Sequence, residues 1–304
     1  MRVLVTGGAG YIGTSLCEKL LASGEIEKVI VYDNLSRHNY NLFIGSNKLD
    51  DRVDFVEGDI LDSRKLRKAV AMVDAVIHLA AKVTTPFADQ DAHLFEQVNH
   101  WGTAEVTYAA EECGIKKLIN LSSVSVYGSG DSARNINSEL DPRTFYGISK
   151  MRGEEHVSRL SNKMETHVIR CGNVYGFNRS MRFDAVINKF LFEANFHSKI
   201  NIHGDGEQHR PFVHVDTVCD ELITLLMTKQ DNTIANLVEH NFSVNDIAEA
   251  LKELYPDLEM IFINNNMKLR ELKVDVVDGN IASSQDGLEI LKKRLSTFKN
   301  SFTF

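Results

Sequence analysis

The chain has 304 residues, 43% hydrophobic and 25% charged, with a formal net charge of −8. That balance suits a soluble globular protein of one large domain or two closely joined ones, with ample length for a core. It argues against a nucleic-acid partner, because phosphate contacts need clustered Lys and Arg, and the one such cluster, Lys292–Arg294, reads as the solvated end of a C-terminal helix.

The first strand is expected at Arg2 to Thr6, a short β-branched run directly after Met1. Gly7, Gly8, Gly10 and Gly13 then crowd the turn before Thr14–Ala22, which has helical spacing. Strand, glycine turn and helix in that order form a site for an anion. The glycines let the backbone approach a pyrophosphate, and the helix presents unpaired N–H groups and the positive end of its dipole. Gly8-x-Gly10-x-x-Gly13 matches the dinucleotide pattern. A second buried strand, Lys28–Tyr32, ends on Asp33, twenty positions after Gly13, where a carboxylate can hold the hydroxyls of an adenosine ribose. The same charge repels a ribose phosphate, which favours NAD over NADP; Arg37 is the nearby residue that would suit the phosphate.

A polar stretch, Asn34–Asp50, leads to a third strand at Val53–Val56 and to Asp59, which could reach an adenine or simply cap a helix; Asp62 and Ser63 offer caps of their own for Arg64–Val70. Asp74–Leu79 is the fourth strand, and its exit, His78-Leu-Ala-Ala81, is small and apolar enough for a flat ring to lie against. A long helical pattern follows at Asp91–Cys113, in which Asn99, if it faces the sheet, can hydrogen-bond backbone at a strand end. Lys117–Leu121 is the fifth strand. Such alternation predicts an α/β fold, a doubly wound parallel sheet of Rossmann type with ligands at the carboxyl ends of its strands.

The fifth strand opens into Ser122-Ser-Val-Ser-Val-Tyr-Gly128, and Tyr146-Gly-Ile-Ser-Lys150 starts a helix running to about Ser161. Tyr and Lys four apart share a helix face, and an ammonium beside a phenol favours the phenolate, as an acid/base catalyst requires. A serine hydroxyl can orient a substrate hydroxyl or keto oxygen for that transfer.

These motifs, TGGAGYIG, VYDN, EGDI, HLAA, VNxxGT, SSxSVYG, YGISK, RCGNVYG and RPFVHVD, resemble those of the extended short-chain dehydrogenase/reductases, in particular the NAD-dependent sugar-nucleotide epimerases and dehydratases, over roughly Arg2 to Asp216. The resemblance implies that Ser123 assists catalysis, that Tyr146 exchanges the proton, and that Lys150 tunes it and holds the ribose. It places Gly7, Gly10, Tyr11, Ile12, Gly13, Asp33, Asn34, Asp59, Ile60, Leu79, Ala80, Ala81, Asn99, Ser122, Tyr146 and Lys150 around NAD. Ser123, Asn173 and Arg210 would meet a nucleotide-sugar substrate, the arginine at its diphosphate. Dehydratases of this kind carry an Asp-Glu pair just after the catalytic hydroxyl residue, where this chain has Val124 and Ser125. The related decarboxylases favour Glu, and the 3,5-epimerases Cys, at the place of Ser125. Hydride and proton exchange at one carbon remains.

Beyond Gly176 an amphipathic helix is expected at Phe183–Phe196, a strand at Ile200–Ile202, helices at Asp216–Lys229 and Asn245–Leu254, and a strand at Thr233–Val238 between them. His203, His209 and His214 have no acidic or Cys ligands at fixed spacing, which speaks against a metal. Pro211 departs from the family motif, where Asp is common, and Leu258 to Phe304 fits the family poorly, with Arg270 as a weak candidate for its further arginine. We expect residues 1–176, completed by parts of 210–240, to form the NAD-binding domain, and 177–304 mainly a smaller substrate lobe.

Cys17, Cys113, Cys171 and Cys219 are scattered and read as buried thiols, with no disulfide frame and no zinc site. With no apolar run of about eighteen residues and no leader, a cytoplasmic protein without a membrane partner is expected. By resemblance, Asp91–Cys113 and Thr144–Ser161 pair across a two-fold axis in a homodimer. Three readings of the activity are open: a 4-epimerase that retains NAD and passes through a transient 4-keto sugar, a 4-ketoreductase or dehydrogenase consuming free NAD(P)H, and a non-catalytic dinucleotide-binding sensor.

Overall fold

In the first strand, β1 (Arg2–Thr6), Val3 and Val5 face one apolar layer and Leu4 the other, so the run is continuous rather than alternating. The computed structural model describes residues 1–44, 50–83, 91–130, 132–264, 271–276 and 284–302. After β1 come α1 (Tyr11–Ala22), β2 (Lys28–Asp33), β3 (Val53–Glu57), α2 (Ser63–Val70) and β4 (Ala75–His78). Asp62 is the cap of α2, its Oδ1 accepting from Lys65 N at 3.1 Å.

The expected helix at 91–113 is divided. It begins as α3 (Ala92–Phe95), widens into a π segment over Glu96–Trp101 and continues as α4 (Gly102–Cys113). The widened turn carries Asn99, buried to 1% exposure. Gly114, at φ 63°, closes α4 in the left-handed conformation that glycine allows. Then follow β5 (Lys117–Ser123), α5 (Phe145–Ser158), β6 (Glu165–Cys171), β7 (Asn173–Tyr175), α6 (Val186–His197), β8 (Lys199–His203), β9 (His209–His214), α7 (Val215–Met227), β10 (Thr233–Leu237), β11 (His240–Ser243), α8 (Val244–Leu254), β12 (Glu259–Ile263) and α9 (Ser284–Lys299).

A parallel seven-stranded sheet runs in the order β10-β6-β5-β4-β1-β2-β3. Its order reverses between β1 and β4, and the crevice for a ligand opens there. Leu16, Leu20, Val218 and Leu222 from α1 and α7 cover one face, and Leu66, Val106 and Val157 from α2, α4 and α5 the other. The sheet is thus a doubly wound α/β sheet, as expected. A second core, formed by Phe190, Ile202, Phe212, Leu251, Leu295 and Phe298, joins α6, α8 and α9 to the smaller sheets β11-β9-β7 and β12-β8. Among the described residues no helix is long and apolar enough to cross a membrane.

The helix expected at 183–196 starts only at Val186, after Ala185 in an extended conformation (ψ 131°), and Asp184 accepts from Arg182 Nε at 2.9 Å in the preceding loop. β6 stands where the sequence pattern gives no strand. Its polar residues are paired inside: Glu165 meets Lys117 at 2.8 Å and His167 at 3.0 Å. Arg170 donates to Glu154 of α5 at 2.8 Å and to Tyr127 Oη at 3.0 Å. Glu154 also accepts from Ser122 Oγ at 2.5 Å, and Tyr127 donates to Asn236 of β10 at 2.7 Å.

Removing one member of this dry pair strands the other charge. Glu154→Leu should therefore cost about 3–5 kcal/mol of stability, while Glu154→Met with Arg170→Met should recover much of it. Denaturant unfolding of both variants checks this; a double variant as unstable as the single one contradicts it.

Candidate functional site

The glycine turn is shaped by close approach. Gly7 stands at φ 71°, and a Cβ there would lie 2.7 Å from Ala80 N; a Cβ on Gly13 would lie 2.4 Å from Gly7 O. Gly10 caps α1 without a side chain, so no capping group competes with an anion for the first N–H groups. At the end of β2, Asp33 bridges across the turn, Oδ2 accepting from Ala9 N at 3.1 Å and Oδ1 from Leu35 N at 2.8 Å. Burial raises its pKa, a rise that the two backbone bonds oppose without cancelling. Beside it Asn34 Nδ2 donates to Asp59 Oδ2 at 2.9 Å, in a shallow pocket shared with Glu57, Gly58, Asp62 and Lys65. Ile60 is buried next to that pocket. The cradle and the acid fit a dinucleotide without a ribose phosphate, since Arg37 turns to Asp184 at 3.6 Å.

Leu79, Ala80 and Ala81 leave β4 half-buried. Their course is set by a residue not singled out from sequence, His78. Thr103 Oγ1 donates to Asn99 O at 2.6 Å, so His78 Nε2 must donate to Thr103 at 3.0 Å, and His78 Nδ1 accepts from Thr6 at 2.7 Å. Burial pushes this imidazole down to about 3, so it stays neutral. Asn99 does face the sheet. Its amide pairs with Lys82 N at 2.8 Å and Lys82 O at 2.9 Å and donates to Ser149 Oγ at 3.1 Å, and Ser149 donates to Tyr146 O at 2.9 Å. Asn99 therefore joins the exit of β4 to the turn that carries Tyr146. Its side chain is engaged by the protein itself.

Ser123 ends β5 and accepts from Ser125 N at 3.2 Å, with Ser125 Oγ at 3.1 Å. Ser122, one residue earlier, faces the opposite layer and donates to Glu154, so its hydroxyl is not in the crevice. Thr144 caps α5 by accepting from Gly147 N at 3.1 Å, which sets Tyr146 in the first turn and Lys150 one turn on. Burial raises the pKa of Tyr146, while the Ser123 hydroxyl and the Arg182 guanidinium pull it down. Lys150 lies one turn on from that phenol along α5. Its ammonium donates to Leu121 O at 2.8 Å, and burial lowers it to about 8 against the opposing charge of Glu154. Cys171 shares this environment, its thiol pushed up to about 12 by burial. Cys17 and Cys219 are likewise buried and free, whereas Cys113 is half-exposed rather than buried.

The substrate residues are less gathered. Asn173 is exposed and donates to Pro211 O at 3.0 Å; Arg210 donates to His209 O at 2.8 Å and is half-buried, with Glu271 offsetting the burial that lowers its pKa. Pro211 leaves the strand intact, opposite Asn241 of β11. His209 pairs with Glu271 at 3.1 Å and His214 caps α7. Arg270 lies outside the described residues. The basic cluster of α9 is not merely solvated: Arg294 donates to Glu239 at 2.5 and 2.8 Å and to Tyr175 Oη at 3.1 Å, a pairing of distant residues that no local pattern could show.

The NAD dependent epimerase/dehydratase family matches residues 3–237. A dTDP-D-glucose 4,6-dehydratase of Mus musculus is 32% identical over 286 residues, covering 91% of this chain and 77% of that protein. A UDP-glucose 4-epimerase of Mycolicibacterium smegmatis is 32% identical over 230 residues, covering 73% and 72%. A solved UDP-glucuronic acid 4-epimerase from Bacillus cereus, in complex with NAD, is similar at 25% identity and a TM-score of 0.78, over 98% of this chain and 100% of that one. With the cradle, Asp33 and the Ser123, Tyr146, Lys150 turn in place, the chain belongs to the NAD dependent epimerase/dehydratase family, and its cofactor is NAD.

Proposed function

We propose that the protein is a sugar-nucleotide 4-epimerase that works through a transient 4-keto sugar. One observation carries the choice over a dehydratase. Val124, at 3% exposure, packs with Val126, Tyr127, Val238 and Val274, and the Ser125 hydroxyl turns to Ser123. Neither position supplies the carboxylic acid that would expel the C6 hydroxyl.

In this reading Tyr146 takes the proton of the C4 hydroxyl and returns it, and Ser123 holds the same oxygen so that the proton has a defined path. NAD, when bound in the cradle, would supply the hydride-transfer chemistry. Lys150 holds the ribose and lends its charge to the phenolate. With Tyr146 and Ser123 holding only the C4 oxygen, the transient keto sugar would be free to turn and present its other face. Arg210 and Asn173 receive the nucleotide end of the substrate in the smaller lobe, which we assign mainly to 177–304. A cytoplasmic location and a homodimer are part of the proposal, the dimer supported by the exposed rings of Trp101 (52%) on the π segment, Tyr108 (43%) on α4 and Phe145 (46%) on α5.

The protein with NAD should interconvert a 4-epimeric pair among UDP-, GDP-, CDP- or dTDP-sugars without net change in nicotinamide absorbance. Steady consumption of the reduced cofactor with a 4-keto sugar would instead identify a ketoreductase. Tyr146→Phe should lower kcat by roughly 10²–10⁴.

Lys150 gives a second test. Lowering its pKa from 10.5 to about 8 disfavours the folded, charged form by roughly 3 kcal/mol. Below about pH 8 that penalty is fully present. Between about 8 and 10.5 the unfolded chain binds the extra proton, so this residue makes stability rise with pH. Lys150→Met should abolish turnover, melt no lower than the wild type at pH 7, and lose that rise; wild-type and variant melting curves of equal pH slope would contradict it.

A further inference from the structure

The segment from Gly176 to Asp184 joins β7 to α6, yet much of what it binds lies more than a hundred residues earlier. Tyr11 Oη donates to Gly176 O at 2.5 Å, and Asn188 of α6 donates to Tyr11 Oη at 3.3 Å and accepts from Gly176 N at 3.0 Å. Thr14 and Ser180, both fully buried, share a hydroxyl bond of 2.8 Å. Asn178 donates to Ser15 and accepts from Ser180 N. Arg179 pairs with Glu18 at 2.5 Å and donates to Ile44 O at 3.2 Å; Asp184 meets Arg37 at 3.6 Å. The segment can begin this course only at a glycine: Gly176 has φ 119°, and a Cβ there would lie 2.5 Å from His214 Nε2. On its outer side Phe177 packs edge-on against Phe298 of α9, with ring centroids 5.9 Å apart.

The segment is therefore fastened on two sides of the nucleotide crevice. One side is α1, whose amino end finishes the glycine turn. The other is the loop after β2, which starts at Asp33. A dinucleotide held by that turn and that carboxylate would extend between the two fastenings.

We propose that Gly176–Asp184 is a strap that keeps NAD resident, so that the cofactor is not exchanged between turnovers. This rests on the epimerase reading, in which NAD returns to its starting redox state in every cycle and exchange serves no purpose. A reductase needs the opposite, an open crevice. Release of the dinucleotide from the strapped crevice requires the bonds to α1 and to the loop after β2 to open together, so the open fraction, and with it the exchange rate, rises as each bond is removed.

The test uses the full chain, purified without added cofactor, and measures NAD released on denaturation and the rate at which bound NAD exchanges with isotopically labelled NAD. The wild type should carry NAD through gel filtration. Arg179→Ala, a surface change, and Arg179→Ala with Ser180→Ala should exchange progressively faster, the double variant by more than about tenfold, and Arg179→Lys should restore slow exchange. Thermal unfolding of the same variants shows that they are folded. Exchange in the double variant as slow as in the wild type overturns the strap, and so does a wild type that emerges without NAD yet epimerises when NAD is added. A protein that holds NAD tightly but interconverts no 4-epimeric pair leaves the strap standing and removes the epimerase reading.

Discussion

The buried ion pair between Glu154 and Arg170 ties together the parts on which the chemistry depends. Glu154 lies one turn beyond Lys150 on α5, and Arg170 lies on β6, so the pair fixes the rotation of the helix that presents Tyr146 and Lys150 over the sheet. Ser122 brings β5 into the same network and Tyr127 with Asn236 brings in β10. A dry pair of this kind adds little net stability over apolar residues. What it adds is a unique orientation, together with an anion near the buried ammonium of Lys150.

A second, uncharged network does the corresponding work on the other side of the crevice. Thr6 at the end of β1, His78 at the end of β4, Thr103 on α4 and Asn99 on the π segment form one line of hydrogen bonds, and Asn99 extends it to Ser149 beneath Tyr146. Every donor in it has an acceptor, which a neutral His78 makes possible and a charged one would break. The π segment follows from the same demand. In a regular helix the 3.6-residue repeat would rotate Asn99 away from the Lys82 backbone that it pairs with.

What could be read in the sequence follows how local each constraint is. β1, β2 and β4 are buried on both faces and show as unbroken apolar runs; the glycine turn and Asp33 are close in sequence and in register. β6 contains Glu165, His167 and Arg170, whose partners Lys117 and Glu154 are remote, so its polar residues hide a strand that is in fact buried. Ser122 and Ser123 look equivalent in a serine pair, and only the alternation of β5 separates them, one toward Glu154 and one toward the crevice. The neighbourhood of Tyr146 and Ser123 is legible, but the Arg182 guanidinium that also pulls the phenol's pKa down is not. Lys150 shares a helix face with Tyr146 and donates to Leu121 O, whereas Arg182 comes from a loop whose course depends on α1 and α6.

The family's shared architecture puts the choice of reaction on very few atoms. Relatives at 32% identity include both a 4,6-dehydratase and a 4-epimerase, so overall similarity does not separate elimination from epimerisation. Oxidation at C4 requires a base, a hydroxyl and a hydride acceptor, and elimination of the C6 hydroxyl requires an acid as well. In this chain the short turn after β5 offers a valine packed into a core and a serine bonded to Ser123 at the two places where that acid would stand. The turn cannot present its first side chain to a substrate without removing Val124 from its cluster with Tyr127 and Val274, which also anchors the Arg170 network. Reaction type and structural support are thus coupled at this turn, and a change of chemistry here would require repacking as well as a new carboxylate.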